Sequence, residues 1–173
     1  MADIYKPMAD INFKAFEDAV ELYGLKKLTL PQITHKVVTL EGAGFMGSID
    51  VALAGMINSM EVGMDFANAA STAQLMAPKE HRVTVYSAAQ VWNMTKGKQE
   101  TKKVKYVFVL APKDTKPGDL APMNQSNASG AYSVYYYAAY ENGEQLWEID
   151  PINQIFKVKG EDYYADIRKA MGE

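Results

Sequence analysis

From Leu28 onward, apolar and polar residues alternate with a period of two, the mark of strands that bury one face. Ile33, His35, Val37 and Thr39 oppose Thr34, Lys36, Val38 and Leu40. Beyond a glycine-rich stretch, Ile49, Val51 and Leu53 point one way while Ser48 and Asp50 point the other. The clearest segment sets Asn58, Met60, Val62, Met64 and Phe66 on a largely apolar face and Ser59, Glu61, Gly63 and Asp65 on a small, acidic one, which is expected to meet water. Residues 68–78 break the alternation. Asn68 or Ser71 can cap there, Ala, Gln, Leu and Met favour helix, and Pro78 stops it, so one short helix is predicted. Strands resume at 82–91 and 103–110 around a hairpin turn at Gly97, and residues 111–130 read as a long loop. A last hairpin, 131–140 with 145–149, turns at Asn142-Gly143. Tyr164, Ile167 and Met171 then have helical spacing, with Asp162 as candidate cap and Gly172 past the end.

Composition narrows the picture to one ordinary domain: 173 residues, 48% apolar and 11% aromatic, with a net charge of -3, suffice for a single core and exclude disorder. The absence of cysteine removes disulfides, Cys-type zinc sites and a thiol nucleophile. Two histidines, His35 and His81, lie far apart without a Ser or Asp arrangement, so no active site, metal or cofactor is expected and the protein reads as a non-enzyme. The first ten residues lack a basic start and an apolar run, which predicts synthesis and folding in a cytoplasm. The uncharged run 120–140 is too rich in Asn, Gln, Ser and Pro to span a membrane, so no membrane-spanning segment is expected.

Three motifs change little. GAGFMG at 42–47 matches the dinucleotide pattern GxGxxG, but an alternating strand follows it where a phosphate site needs a helix, so it reads as a turn between antiparallel strands. Asn127-Ala-Ser129 is a glycosylation pattern without consequence in a chain lacking a secretory signal. Lys96, Lys98, Lys102, Lys103 and Lys105 gather around a hairpin tip with only Tyr106 among them, as on a solvated, edge-protecting hairpin.

The strand 132–140 is apolar on both sides, with Val134, Tyr136 and Tyr140 opposing Tyr135 and Tyr137. Such a strand is central to a covered sheet or half-buried by another subunit, and tyrosine suits the second because it joins large contact area to a wettable hydroxyl. Tyr132, Tyr135, Tyr136 and Tyr137 are therefore candidates for a subunit or ring interface, together with Leu120 and Pro122 of the long loop.

Three segments carry a family resemblance: LTLPQIT at 28–34, with Leu30 and Pro31; KPGDL at 116–120, with Gly118; and EIDPINQIFKVKGEDYYADIRKAMG at 148–172, with Asp150, Asn153, Gly160, Asp162 and Arg168. Together these resemble the major tail tube protein of contractile-tailed phages, a type also used by R-type bacteriocins. The resemblance implies a mainly β, antiparallel sandwich or barrel with a short flanking helix, assembled as homohexameric rings stacked into a hollow tube. It also implies a surrounding sheath protein, baseplate and tail terminator proteins, a tape measure protein and DNA in the lumen, a place in the virion tail after assembly in the host cytoplasm, and no cofactor. Members of the family commonly have an Asp-Gly turn before the Leu-Pro strand, whereas here Asp18 precedes Ala19. Residues 1–27 are ambiguous: Phe13, Phe16, Val20 and Tyr23 fit a helical stripe, yet an extended N-terminal arm with one strand is the reading adopted.

Physics points to assembly as well. An aqueous pore takes about 16 to 18 strands, more than one chain of this length holds, so several chains must share a barrel. For a DNA conduit, a weakly acidic lining of small residues avoids friction, which nominates Ser59, Glu61, Gly63 and Asp65 for the lumen. The loop 111–130 and the arm are nominated for contacts between rings, and residues 160–173 for a terminal helix or arm. A monomeric β-barrel that binds a small apolar ligand is the alternative of another class, and the tube of a bacteriocin or secretion machine a closer one.

Overall fold

The computed structural model describes residues 4–172; the first three residues of the predicted arm and residue 173 lie outside the described residues. The chain is mainly β, with 60% strand and 8% helix. It runs β1 (Tyr5–Glu17), β2 (Val20–Glu21), β3 (Leu25–Thr29), β4 (His35–Leu40), β5 (Ile49–Ile57), β6 (Met60–Phe66), α1 (Ala69–Thr72) and a 3₁₀ turn (Ala73–Leu75). There follow β7 (His81–Asn93), β8 (Lys98–Lys116), β9 (Ala128–Glu141), β10 (Glu144–Asp150), β11 (Ile155–Val158), β12 (Glu161–Asp162) and α2 (Ala165–Ala170).

Ten strands form one antiparallel sheet in the order β12-β11-β10-β9-β8-β7-β1-β2, with β6 joining β9 and β3 joining β6; β4 and β5 form a separate two-stranded ribbon. The sheet branches at β9. Its first half, Ala128 to Val134, pairs with β6, its second half, Tyr137 to Glu141, pairs with β10, and β8 runs along the other edge of both halves. The branching lets the sheet curl around one core. Met60, Val62, Met64 and Phe66 of β6 pack there with Val83, Phe108, Leu110, Tyr132, Tyr137 and Ile149. Burying side chains of this size stabilises by roughly 1.5–3 kcal/mol each before entropy is counted.

Several sequence expectations hold. β6 buries the apolar face that its alternation marked. The glycine stretch 42–47 joins the antiparallel pair β4–β5, and Asn68 caps α1 by accepting the Ser71 N–H at 2.9 Å. Asn142 and Gly143 turn the last hairpin with φ of 49° and 91°.

One open alternative is decided and three expectations are corrected. The first concerns residues 12–23, which form no helix: β1 is a 13-residue strand laddered to β7 from Tyr5↔Asn93 to Glu17↔Val83. Phe13 and Phe16 lie in a regular stretch of that ladder, whereas Val20 and Tyr23 lie beyond the Asp18–Ala19 turn and are exposed, so the helix-like spacing runs across a strand, a turn and the strand after it. The arm is thus extended, and it is an integral strand. The second concerns the loop, which is shorter than 111–130, because β8 continues to Lys116 and β9 starts at Ala128. Pro112 and a register shift beside it hide this strand from a period reading; Pro112 is tolerated because β7 begins at His81, opposite Leu110, and leaves the rest of β8 an edge.

The third concerns β9. Val109 faces Tyr136 and Leu110 faces Val134, so Tyr135 is an extra residue in the ladder. This bulge reverses the alternation, sending both Val134 and Tyr137 to the core and turning Tyr136 outward. The fourth concerns Asp162, which does not cap α2. Tyr164 is the N-cap residue, and Asp162 accepts the Tyr164 N–H at 3.0 Å while pairing with Arg168 at 2.6 Å.

The hairpin β1–β2 turns through Asp18 and Ala19, with φ of 43° and 74°. Both central residues sit in the left-handed region that a tight hairpin turn requires, and Ala19 has a Cβ where glycine would fit without cost. Ala19→Gly is expected to raise the free energy of unfolding by about 0.5–1 kcal/mol, measured from urea denaturation midpoints. An unchanged or lower midpoint would show that the turn is not strained.

Candidate functional site

β3, β6, the first half of β9 and the end of β8 lie side by side, and the ladder registers align their outward side chains in three rows. Lys27, Asp65, Ser129 and Lys116 form one row, and Thr29, Gly63, Ala131 and Asp114 the next. Glu61, Ser133 and Ala111 form the third, where Lys113 reaches the Glu61 carboxylate at 2.7 Å. That carboxylate, by hydrogen bond and charge, holds the Lys113 ammonium above its ordinary pKa. Gly63 and Asp65 lie on this face with Glu61, and Ser59 just precedes β6. The small-residue character expected of this face is present, but the acidic character is not: Lys27, Lys113 and Lys116 balance Glu61, Asp65 and Asp114. Those lysines come from β3 and β8, strands that only the fold brings beside β6.

This four-stranded face ends in two open strand edges. Among the described residues β3 pairs only with β6, and β8 beyond Leu110 pairs only with β9. An open edge presents unpaired N–H and C=O groups, a template for a strand of another chain.

The signature residues build turns and clamps. Asp150 accepts the N–H groups of Ile152 and Asn153 at 3.1 and 3.0 Å and the Asn153 side-chain amide at 2.7 Å, which closes the β10–β11 turn. Gly160 completes the β11–β12 turn with φ of 86°. Burial raises the Asp162 carboxyl, but the Arg168 guanidinium and the Tyr164 N–H outweigh it and hold the group below its ordinary pKa. Arg168 also donates to the Gln154 carbonyl, so it ties α2 back onto the turn after β10. Pro31 is buried, Leu30 is exposed, and Gly118 sits where the connection 117–127 closes on itself. These are positions of backbone geometry, and none assembles a nucleophile or an acid–base pair. Among the described residues no cluster of His, Asp and Glu could hold a metal ion, and no helix is long and apolar enough to cross a membrane.

The interface candidates separate. Tyr132 and Tyr137, at 0% and 2% exposure, are core residues of the subunit and present no surface to a neighbour. That both face the core follows from the β9 bulge between them. Tyr135 and Tyr136 stay on the surface side, Tyr136 donating its hydroxyl to Glu148 at 3.0 Å, and Leu120 and Pro122 are exposed on the loop. Among the described residues the Tyr132 hydroxyl has no hydrogen-bond partner, and burial pushes its pKa up to about 12. A phenol that ionises near pH 10 in the unfolded chain and near 12 in the folded one adds stability below pH 10 that is lost as pH rises between the two. Tyr132→Phe is therefore expected to flatten the loss of stability between pH 10 and 12, read from denaturation midpoints; an unchanged slope would exclude that hydroxyl as its source.

The lysine cluster is also redrawn. Lys96 and Lys98 lie at the hairpin end, but Lys102 packs over Tyr5 at 4.2 Å, Lys103 over Tyr86 at 4.8 Å, and Lys105 between Tyr86 and Tyr140 at 5.9 and 5.6 Å. Cross-strand pairing supplies aromatic partners that sequence spacing could not show. In the β4–β5 ribbon Val37, Val38, Leu40, Ile49 and Val51 are all exposed, and only its base, through Ile57, packs against the core.

No curated protein matches the chain. Residues 11–172, nearly the whole length and including every signature residue, match the phage tail tube protein FII family. The open-edged, small-residue sheet and the clamped C-terminal turns are thus features of a structural tail tube protein, and the chain belongs to the phage tail tube protein FII family.

Proposed function

We propose that this protein forms the inner tube of a contractile tail, as hexameric rings stacked into a conduit for DNA, with the β3-β6-β9-β8 face lining the lumen. The observation that supports this most is the pair of open edges on either side of that face. The β3 edge of one copy pairs with the free end of β8 on the next, and six copies of four strands close a barrel of about 24, well above the strand number at which a barrel holds an aqueous channel. At ordinary strand spacing and tilt its opposite walls lie about 45–50 Å apart, wide enough for a duplex once small side chains line it.

The lining suits a moving polyanion. Every free Lys or Arg on the wall would bind phosphate by releasing counterions, and here Lys113 is already engaged by Glu61 while Lys116 lies 4.0 Å from Asp114. The outer layer then faces the sheath, and the ends of the tube meet the baseplate, the tail terminator and, within the lumen, the tape measure protein. The contractile type rests on the resemblance of the 28–34, 116–120 and 148–172 segments. The packed core, with Val62, Met64, Phe66 and Phe108 fully buried, favours this reading over a ligand-binding barrel.

Glu61→Lys with Asp65→Lys tests the lining. The Glu61–Lys113 pair is solvent-exposed and worth little to stability, so tubes are expected to form normally. Particles carrying the variant are expected to lose infectivity by about tenfold or more, as two added cations per subunit hold the DNA. Normal tubes with normal delivery would remove these residues from the lining.

A further inference from the structure

The β7–β8 hairpin and the start of β1 extend past the core as a three-stranded tongue. Among the described residues, the main apolar cluster takes nothing from β7 beyond Val85 and nothing from β8 before Tyr106. The ladders nevertheless run on to Asn93↔Lys98 and Tyr5↔Asn93, so the stretch from Ser87 to Asn93 reaches about 23 Å further. Its turn is fixed: the Asn93 side chain accepts the N–H groups of Thr95 and Lys96, both at 3.0 Å, and Met94 donates its N–H to the Ile4 carbonyl at 2.8 Å. Two kinds of side chain cover the tongue. Ile4, Met8, Ile11 and Met94 are each more than half exposed, and Trp92 is exposed with them. Met8 and Ile11 are the extra residues of the two register shifts in β1. Among the cations, Lys6 lies opposite Trp92 in the ladder, and Lys103 and Lys105 rest on the rings of Tyr86 and Tyr140. The acids nearby are engaged, Glu100 by Lys98 at 3.4 Å and Glu141 by Lys102 at 3.3 Å.

We propose that this tongue is a peripheral membrane-binding element: Ile4, Trp92 and Met94 enter the headgroup layer of an anionic bilayer, and Lys6, Lys103 and Lys105 meet its lipid phosphates. Exposed apolar groups flanked by lysines, with a tryptophan among them, are the chemistry of a bilayer interface. Insertion to a depth of about 5–10 Å is well within the reach of the tongue. Two observations favour a bilayer over a second copy as occupant. β1 is an edge strand there, but its two bulges break the ladder and make it a poor template for a strand of another chain. A tongue set against the same tongue of another copy would also bring lysine to lysine, whereas lipid phosphates complement them. The chain as a whole carries a net charge of -3, so attraction to an anionic surface has to come from this local patch. The inference goes beyond the conduit reading and needs no ring, because every residue of the element belongs to one chain. Under that reading the tongue lies away from the lumen, where a tube that delivers DNA meets a membrane.

Cosedimentation of the purified protein with vesicles tests the assignment. Vesicles of phosphatidylglycerol and phosphatidylcholine in equal parts are expected to bind it about tenfold or more tighter than vesicles of phosphatidylcholine alone. Trp92 is one of two tryptophans, and Trp147 packs against the core, so a blue shift of the emission on binding reports the tongue. Lys6→Gln with Lys103→Gln is expected to weaken binding about 25-fold, at about fivefold per lysine near such a surface. Ile4→Ser with Met94→Ser is expected to weaken it by about tenfold or more and to abolish the blue shift. All four positions are exposed, so both variants are expected to keep the wild-type denaturation midpoint. Equal binding to the two kinds of vesicle, or variants that bind as the wild type does, would overturn the proposal. Stable variants that change the mass or the rings of the protein, with vesicle binding unmoved, would assign the tongue to a contact between copies and overturn it as well. Absence of vesicle binding leaves the conduit reading standing, and absence of rings leaves the vesicle result standing.

Discussion

Replacing His81 with alanine is expected to lower the free energy of unfolding by about 3 kcal/mol, among the largest effects of any single change outside the apolar core. The ring is 1% exposed at the start of β7, its Nδ1 bonded to the Glu17 carboxylate and its Nε2 to the Ala77 carbonyl at 2.9 Å. Held by an oxygen atom on each side, the ring joins the end of β1 to the segment after the 3₁₀ turn. Alanine would leave a largely buried carboxylate and a carbonyl without donors, and desolvation makes such orphans costly. Chemical denaturation measures the loss, and a double-mutant cycle with Glu17→Gln isolates the pair. A cost below about 1 kcal/mol would show that water replaces the ring.

Gly118→Ala is expected to abolish tube formation while leaving the core intact. At φ of 84°, a Cβ on residue 118 would lie 1.7 Å from the Ser126 carbonyl oxygen and 2.9 Å from the Ala128 nitrogen. These are backbone atoms at the point where the 117–127 connection closes, so they cannot swing aside as a side chain tip would. The loop must open, and with it Leu120 and Met123 lose their placement. Because β8 and β9 are held by their own ladder, the denaturation midpoint is expected to move by less than the equivalent of about 1 kcal/mol, with protease cleavage within 117–127 rising sharply. Variant tubes of normal length would show that the loop conformation is irrelevant to stacking. A collapse of global stability would show that the closure belongs to the core.

The same glycine illustrates how a motif and its cause can be separated. KPGDL was recognisable as a pattern, but the reason for glycine became visible only when Ser126, eight positions on, came back against it. His81 is a stronger case. Its partner Glu17 is 64 positions away, and no spacing rule connects them.

What the sequence by itself determined is what depends on neighbours along the chain. The face of β6 was legible because its period of two is unbroken from Met60 to Phe66 and one side is fully buried. The Asn142-Gly143 turn and the Asn68 cap were legible because those residues prefer these geometries intrinsically. Tertiary structure alone decided the rest. Whether 5–17 is strand or helix depended on a ladder to β7, because the apolar spacing from Phe13 to Tyr23 runs through a turn that only strand pairing defines. Which tyrosines of β9 enter the core was set by one extra residue, Tyr135, opposite β8. The sign of the proposed lumen face was set by Lys27, Lys113 and Lys116 arriving from two other strands. The physical reason is common to all three: strand pairing is a contact between distant segments, and a one-residue change of register turns every following side chain to the other face.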